Sequence, residues 1–289
     1  MEQVKSRSYI YQIELNGNQT NDARIIASTF IDKGSKVLDV GSACGDFGQY
    51  LISDKDCTVY GMEYDPESIQ VALAKNVFKK IHQVDLNTHQ ANDYPEYIGQ
   101  FDCITLLDVL EHTMNPEKNM LQIKPYLKEG GHFVISLPNV SFGDVKISIL
   151  NDDFEYTDVG ILDRTHLRFF TYRTIAHFFT DLGFEILDCN VRVSDFTFPM
   201  KNLPRSTKSY ISNNPHSFVF QYVLKLKSTY KTDDLLNKNL NKIDIKFAAI
   251  RKSLKQIRKY KLLNKILPVG SKRRVIVKSM YTKLKGCVR

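Results

Sequence analysis

The sequence predicts an α/β fold: an open sheet of seven mostly parallel strands with helices on both faces, extended by a basic helical segment at the C-terminus. Three observations carry this. Short apolar runs alternate with amphipathic stretches from residue 36 to residue 137, the pattern of parallel strands buried on both faces. A glycine-bearing bend follows the first run and leads into a helix, the place where open α/β sheets take ligands. Charge is split along the chain. Residues 225–289 hold 20 Lys/Arg against 3 Asp/Glu, net +17, while residues 1–224 hold 20 against 29, net −9. An acidic body with a basic tail is two objects, so the overall charge of +8 says nothing about the functional site.

The elements follow in order. Residues 1–34 form an N-terminal helical segment in which Asn21 and Asp22 cap a helix with Ile25, Ile26, Phe30 and Ile31 on one face. The strand-like runs are KVLDVG (36–41), CTVYGME (57–63), KIHQV (80–84), FDCITLL (101–107) and GHFVISL (131–137). PESIQVALAKNVFK (66–79) and NPEKNMLQIKPYL (115–127) each place Pro in a first helical turn, and Lys128-Glu129-Gly130-Gly131 stops the second helix. After residue 140 the alternation gives way to a polar, aromatic insertion, 141–170. TYRTIAHFFTDLG (171–183) is a helix closed by Gly183. Two more strands, FEILDCNVRV (184–193) and HSFVFQYVLKLK (216–227), flank a loop-like stretch with Pro199, Pro204 and Pro215, and this pair is free to run antiparallel. The domain expected at 35–227 therefore carries the insertion, and 228–289 is a basic amphipathic tail.

Composition narrows the class. The 289 residues are 43% hydrophobic, enough for a packed core. No run of 18 apolar residues is present, and MEQVKSRSYIYQIELNG lacks the apolar centre of a signal peptide, so the expected location is the cytoplasm. Cys57, Cys103 and Cys189 sit in apolar runs and read as small buried hydrophobes; with Cys44 and Cys287 they form no C-x-x-C pair, so neither structural zinc nor a disulfide framework is expected.

The strand ends carry the chemistry. VLDVGSACGDFG (37–48) holds Gly41, Gly45 and Gly48 as G-x-x-x-G-x-x-G, which is not the dinucleotide fingerprint G-x-G-x-x-G. Asp39 lies two residues before the bend, placed to orient the ammonium of an amino-acid ligand directly or through water. Glu63 ends the second strand, where an acid accepts from both ribose hydroxyls. Asp85 and Leu86 end the third, one suited to an adenine amino group and the other to the ring face. Leu107 and Asp108 end the fourth at the edge of the same crevice. One glycine bend alone is an ordinary tight turn; four strand ends bearing this chemistry in order point to a bound ligand.

VLDVGSACGDFG, VYGMEYD, VDL and FDCITLLDVLEH resemble the successive motifs of class I S-adenosylmethionine-dependent methyltransferases, and LKEGGHFVISLPN resembles the strand that follows them. The similarity covers about residues 35–193. It implies a Rossmann-like methyltransferase sheet and S-adenosyl-L-methionine as cofactor. Asp39, Gly41, Ser42, Ala43, Cys44 and Gly45 would cradle the methionine part, Glu63 would hold the ribose with Tyr64 beside it, and Asp85 and Leu86 would flank adenine. Ala43 departs from the glycine often found there and makes the turn less permissive. FEYTDVGILDRTHLRFFT (154–171) is similar to the insertion of methyltransferases associated with bacterial glycosyltransferases in surface-polysaccharide synthesis. That resemblance implies a sugar or lipid-linked glycan acceptor.

Methyl transfer to a hydroxyl needs a lone pair aligned opposite the sulfur and a group that takes the proton. His112, just past the fourth strand, is the candidate base, with a loop-orienting histidine as the structural alternative. His166, within DRTHLRFF, is the second candidate; the alternative is a network of Asp163, Arg164 and Arg168 that holds the insertion on the sheet, or Arg168 meeting an acceptor phosphate. Asp108 would orient His112 or the acceptor, or bond the loop. Phe142, Phe154, Tyr156, Phe169 and Phe170 form either an acceptor wall or a cluster beneath the insertion. No His/Asp/Glu set shows metal-ligand spacing along the chain, which predicts metal-independent transfer.

In the tail, Leu240, Ile243, Phe247, Ile250, Leu254 and Ile257 make a heptad seam flanked by Lys238, Lys242, Lys246, Lys252, Lys255 and Lys259. The seam is compatible with a dimer, with docking on an anionic membrane surface helped by 271–286, or with packing on the acidic body; the charge favours a membrane at the inner face of the plasma membrane or an acidic partner such as a glycosyltransferase. No nucleic-acid reading module accompanies the charge. Besides the glycan methyltransferase, a small-molecule O-methyltransferase for an aromatic or quinone-like acceptor and a non-catalytic cofactor-binding scaffold docked by its tail remain open.

Overall fold

The computed structural model describes residues 14–244, 250 and 252–255. The chain divides into two compact units, residues 1–245 and 246–289. In the first unit the elements run α1 (Ala23–Ser28), β1 (Lys36–Val40), α2 (Asp46–Lys55), β2 (Thr58–Glu63), α3 (Pro66–Ala74), β3 (Ile81–Gln83), β4 (Phe101–Leu107), α4 (Pro116–Ile123), β5 (Leu127–Pro138), α5 (Gly143–Leu150), α6 (Tyr172–Asp181), β6 (Phe184–Val193), α7 (Arg205–Asn213), β7 (Val219–Ser228) and α8 (Leu235–Ile243).

The seven strands form one Rossmann-like sheet in the order β3-β2-β1-β4-β5-β7-β6. Of the last two strands only β7 reverses direction: it pairs antiparallel with both β5 and β6, so β6 runs parallel to the first five. The connection of β6 to β7, which contains α7, is long enough to bring β7 back into the gap beside β5. Central strands are buried on both faces, with Val37, Leu38, Ile104, Leu106, Phe133, Val134 and Ile135 at 0% exposure. This explains their unbroken apolar runs.

Local chemistry sets the helix starts. Asp22 caps α1 by accepting from the Arg24 amide, Asp65 caps α3 at the Ser68 amide ahead of Pro66, and Thr171 and Thr174 form a reciprocal capping pair on α6. Gly183, at φ +72°, follows α6 as expected.

Several expected boundaries move. Residues 128–131 open β5 rather than merely stopping a helix, because Leu127 already pairs with Phe101 in the ladder. The loop-like stretch after β6 contains α7, and the insertion contains α5. A Cβ on Gly143, the first residue of α5, would lie 2.4 Å from the Phe196 ring, a close approach that hides the helix start from pattern reading. Within the described part of the N-terminal segment, Asn21 brackets the end of β6 through the Val193 amide and carbonyl, and α1 joins a core with Phe47, Leu51 and Val134.

The tail does not begin at 228 either. Asn239 of α8, fully buried, accepts from the Ile186 amide and donates to the Phe184 carbonyl and the Thr180 hydroxyl, which fastens α8 to β6 and α6. Ile243 is buried and Leu240 half-buried. Of the rest of the seam, residues 252–255 are helical, while Phe247, Ile257, 271–286 and Cys287 lie outside the described residues. Among the described residues, no helix is long and apolar enough to cross a membrane.

Candidate active site

A cavity of about 750 Å³ opens at the carboxyl ends of the parallel strands, within the size range of small-molecule sites. Strand order gives it two ends. One is lined from β1, β2 and β3, the other from β4, β5, β7 and the insertion.

At the first end the glycine bend is held by close packing. A Cβ on Gly41 would lie 2.4 Å from the Val109 Cγ2, and the residue has φ +73°, so the bend requires glycine on both counts. Ala43 also lies in the left-handed region, at φ +44°. It is tied there by its amide, which donates to Glu63 Oε2 at 2.7 Å. Glu63 Oε1 accepts from the amides of Tyr64 and Asp65, so this carboxylate joins the bend to the turn after β2 and keeps lone-pair capacity on Oε2 toward the cavity. Asp39 is buried and accepts the Thr105 hydroxyl at 2.6 Å. Burial pushes its pKa up to about 7; the Thr105 bond opposes this and the Glu63 charge adds to it. Asp85 uses Oδ1 to accept from the amide and side chain of Asn87. Ser42 contributes to the wall, and its buried hydroxyl has no hydrogen-bond partner.

Asp39, Gly41, Ser42, Ala43, Glu63, Tyr64, Asp85, Leu86, Leu107 and Asp108 all line this one cavity. Cys44 and Gly45 do not. Cys44 is fully buried, and its carbonyl accepts from Lys75, while Gly45 turns toward Ala72 and Phe78, where an added Cβ would lie 3.1 Å from the ring. They shape the helix start instead of the wall. Carboxylates from three strand ends, an orphaned hydroxyl and a bend with no room for a Cβ at Gly41 have the chemistry to take an adenosyl amino acid.

At the second end Asp108, itself at φ +57°, accepts the Ser136 hydroxyl at 2.7 Å and pairs with the Gln221 amide. It bonds strand ends and does not reach His112. His112 lines the cavity and is oriented by the insertion: Nδ1 meets the Thr165 carbonyl at 3.3 Å and the Thr165 hydroxyl at 3.0 Å. A carbonyl only accepts, so Nδ1 carries the proton and Nε2 keeps a lone pair in the neutral ring. Thr165 in turn donates to Asp163 at 2.7 Å. Burial and the neighbouring His166 hold the His112 pKa below its ordinary value.

The insertion is clamped to the turn after β4 through the Glu111 carbonyl, which accepts from the amides of Leu167 (2.7 Å) and Arg168 (3.0 Å). Arg168 also donates to the Met114 carbonyl, and Arg164 pairs with Asp158 at the surface. This clamp stacks His166 edge-on against His112, ring centres 4.7 Å apart. His166 does not line the cavity. Nor does any of the five aromatic residues weighed as an acceptor wall or as a cluster beneath the insertion: Phe142 and Phe169 share a core cluster, Phe170 is buried, and Phe154 and Tyr156 face solvent.

Pattern reading missed Thr165, Ser136 and Gln221 in the wall, and it gave Glu111 no role of its own. Glu111 is fully buried, neither carboxylate oxygen has a hydrogen-bond partner, and burial, with the Asp108 charge, pushes its pKa well above the carboxylate range. Contrary to the expectation from spacing, Glu111, His112 and His166 each bring one ligating atom within 4.8 Å of the others. His166 comes from 54 residues downstream, so linear spacing held no sign of the group.

The comparisons agree with this architecture. A family model described as a methyltransferase domain matches residues 17–188, more than half of the chain. A tRNA U34 carboxymethyltransferase of Syntrophotalea carbinolica is 30% identical over 36% of this chain and 32% of its own length. A ubiquinone biosynthesis O-methyltransferase of Escherichia coli is 31% identical over 37% of this chain and 44% of its own. The chain thus spans less than half the length of these two relatives. Among solved structures, magnesium protoporphyrin IX methyltransferase from Synechocystis PCC 6803 with bound SAH superposes with TM-score 0.50 at 15% identity, covering 77% of this chain and 92% of that one. An S-adenosylmethionine-dependent methyltransferase from Methanosarcina mazei gives 0.50 at 13% identity, over 75% and 100%. These two show the shared fold. The chain belongs to the methyltransferase domain family, and S-adenosyl-L-methionine is its cofactor.

Proposed function

We propose that this methyltransferase O-methylates a hydroxyl of a sugar or lipid-linked glycan precursor in bacterial cell-envelope polysaccharide synthesis. One observation carries the reading: at its second end the cavity brings Ser136, Thr165, Asp108, His112, Gln221 and, from β6, Arg192 into a wall that also holds Leu107, Val109 and Val159, while the insertion's aromatic rings stay out of it. A rim of donors and acceptors suits a hydroxyl-rich acceptor better than a flat aromatic one. The relationship to ubiquinone O-methyltransferases favours a second reading, a phenolic acceptor of quinone type.

Asp39, Gly41, Ser42, Ala43, Glu63, Tyr64, Asp85 and Leu86 bind the cofactor. The bound sulfonium supplies an electrophilic methyl group. The chain's part is to align the acceptor oxygen behind that carbon and to assist loss of its proton. The Nε2 lone pair of His112 faces this task, steadied through Thr165 and Asp163. The basic tail brings the enzyme to an anionic membrane face or to an acidic partner such as a glycosyltransferase.

Supplying methyl-labelled cofactor to envelope extracts with the purified chain distinguishes the readings. Label in a saccharide is expected. Label confined to quinones overturns the glycan assignment in favour of the second reading, and no transfer to any fraction removes both.

A further inference from the structure

We propose that Glu111, His112 and His166 form a site for one divalent transition-metal ion of the zinc or manganese kind, at the acceptor end of the cavity. The catalytic consequence rests on the methyltransferase reading above; the binding itself does not.

The donor set is two imidazoles and one carboxylate, each with an atom within 4.8 Å of the other two. Tautomers agree with ligation. His166 Nδ1 lies 2.9 Å from the Ile161 carbonyl and His112 Nδ1 meets the Thr165 carbonyl, so both rings donate from Nδ1 and present Nε2 as a lone pair. A carbonyl on the far nitrogen is the usual support of a metal-bound histidine, because it fixes the ring and raises the basicity of the ligating atom.

The second observation is Glu111. A fully buried carboxyl group with two unpartnered oxygens is costly, most of all when it is ionised. A dication between the carboxylate and the two lone pairs satisfies all three at once. The backbone of the same residue clamps the insertion that delivers His166. The fold therefore assembles the three donors and holds them before any ion arrives.

The ligand chemistry selects the metal. Magnesium and calcium prefer all-oxygen sets, whereas imidazole with one carboxylate suits zinc, manganese or ferrous iron. Three protein ligands leave coordination positions open, as in catalytic sites. His112 contributes to the cavity wall, so an acceptor hydroxyl reaches the ion from that side. A coordinated hydroxyl has a lowered pKa and releases its proton to solvent. Its oxygen then forms the bond to the methyl carbon, the carbon–sulfur bond breaks, and its electron pair returns to sulfur. The net reaction is acceptor hydroxyl plus sulfonium giving methyl ether, thioether and one proton. With the ion bound, His112 serves as a ligand and the ion, not the imidazole, drives proton loss.

The test uses the full chain stripped with chelator. Cobalt(II), a spectroscopic stand-in for zinc, is titrated by visible absorption, and zinc and manganese by calorimetry. One equivalent per chain is expected, with cobalt bands of a low-coordinate nitrogen and oxygen site. His166→Ala and the near-isosteric Glu111→Gln should each weaken binding about 100-fold or more, with cofactor affinity unchanged. Absence of stoichiometric binding overturns the proposal, as does equal affinity in folded Glu111→Gln protein. Failure to bind S-adenosylmethionine with metal binding intact would instead remove the methyltransferase chemistry and leave the metal site standing.

Discussion

The two ends of the cavity are built in opposite ways. At the cofactor end, the proposed contacts lie between residues 39 and 86, and three backbone amides converge on one carboxylate, Glu63. At the acceptor end, the wall is collected from β4, β5, β7 and the insertion, and side chains do the fastening: Asp108 with Ser136 and Gln221, His112 with Thr165, Thr165 with Asp163. The first construction ties binding to a strand-turn-helix unit that tolerates little change. The second lets the insertion's share of the wall, Val159 and Thr165, change with the cofactor half untouched.

If the halves are separable, His112→Ala should lower kcat by about 10²- to 10⁴-fold and leave the dissociation constant for S-adenosylmethionine, read by calorimetry, unchanged. Loss of cofactor binding in that variant would merge the two halves. A sharper test lies at Asp39. Its folded pKa of about 7 stands above the ordinary carboxylate value, so the folded state holds a proton that the unfolded state has released. Stability from this group is therefore full below about pH 4 and declines as pH rises to about 7, a loss on the order of 4 kcal/mol. Denaturation of Asp39→Asn, which still accepts from Thr105, should show that slope abolished. The ammonium of the cofactor favours the ionised carboxylate, so wild-type cofactor affinity should rise with pH through the same window. A pH-independent affinity would detach Asp39 from the ligand. The smallest effect is expected at Ala43. Its left-handed φ of +44° costs about 1–2 kcal/mol in a non-glycine residue, partly offset by the entropy that glycine adds to the unfolded chain. Ala43→Gly should stabilise the fold by about 1 kcal/mol or less and so raise the melting temperature slightly; a lower melting temperature would show that the Glu63 tether, not strain, governs the bend.

The same contrast explains what the sequence disclosed. The convergence of Asp39, Glu63 and Asp85 on one cavity was legible because a parallel sheet places the carboxyl end of every strand on one edge, so strand order converts directly into proximity. Gly41 was legible because a bend that excludes a Cβ leaves glycine behind it. That Cys44 and Gly45 lie outside the cavity wall was not legible, because adjacency in a motif does not say which side of the turn faces the cavity. Glu111 was passed over because its meaning depends on His166, and no local pattern encodes a pairing made by an insertion folding back onto the turn after β4. Asn239 was hidden for a similar reason: on a helix that also carries Asn237 and Asn241, nothing local marks it as the one that fills the backbone bonds of a distant strand end.

The position of β7 has a consequence for biosynthesis. Because this strand lies between β5 and β6, although it is the last to be made, β6 has no strand partner until residues 219–228 leave the ribosome. The nascent chain can assemble β1 through β5 around the glycine bend while β6 waits with both edges bare. Docking of β7 then closes two ladders in one step, so maturation of the acceptor side is coupled to the end of translation of the catalytic unit.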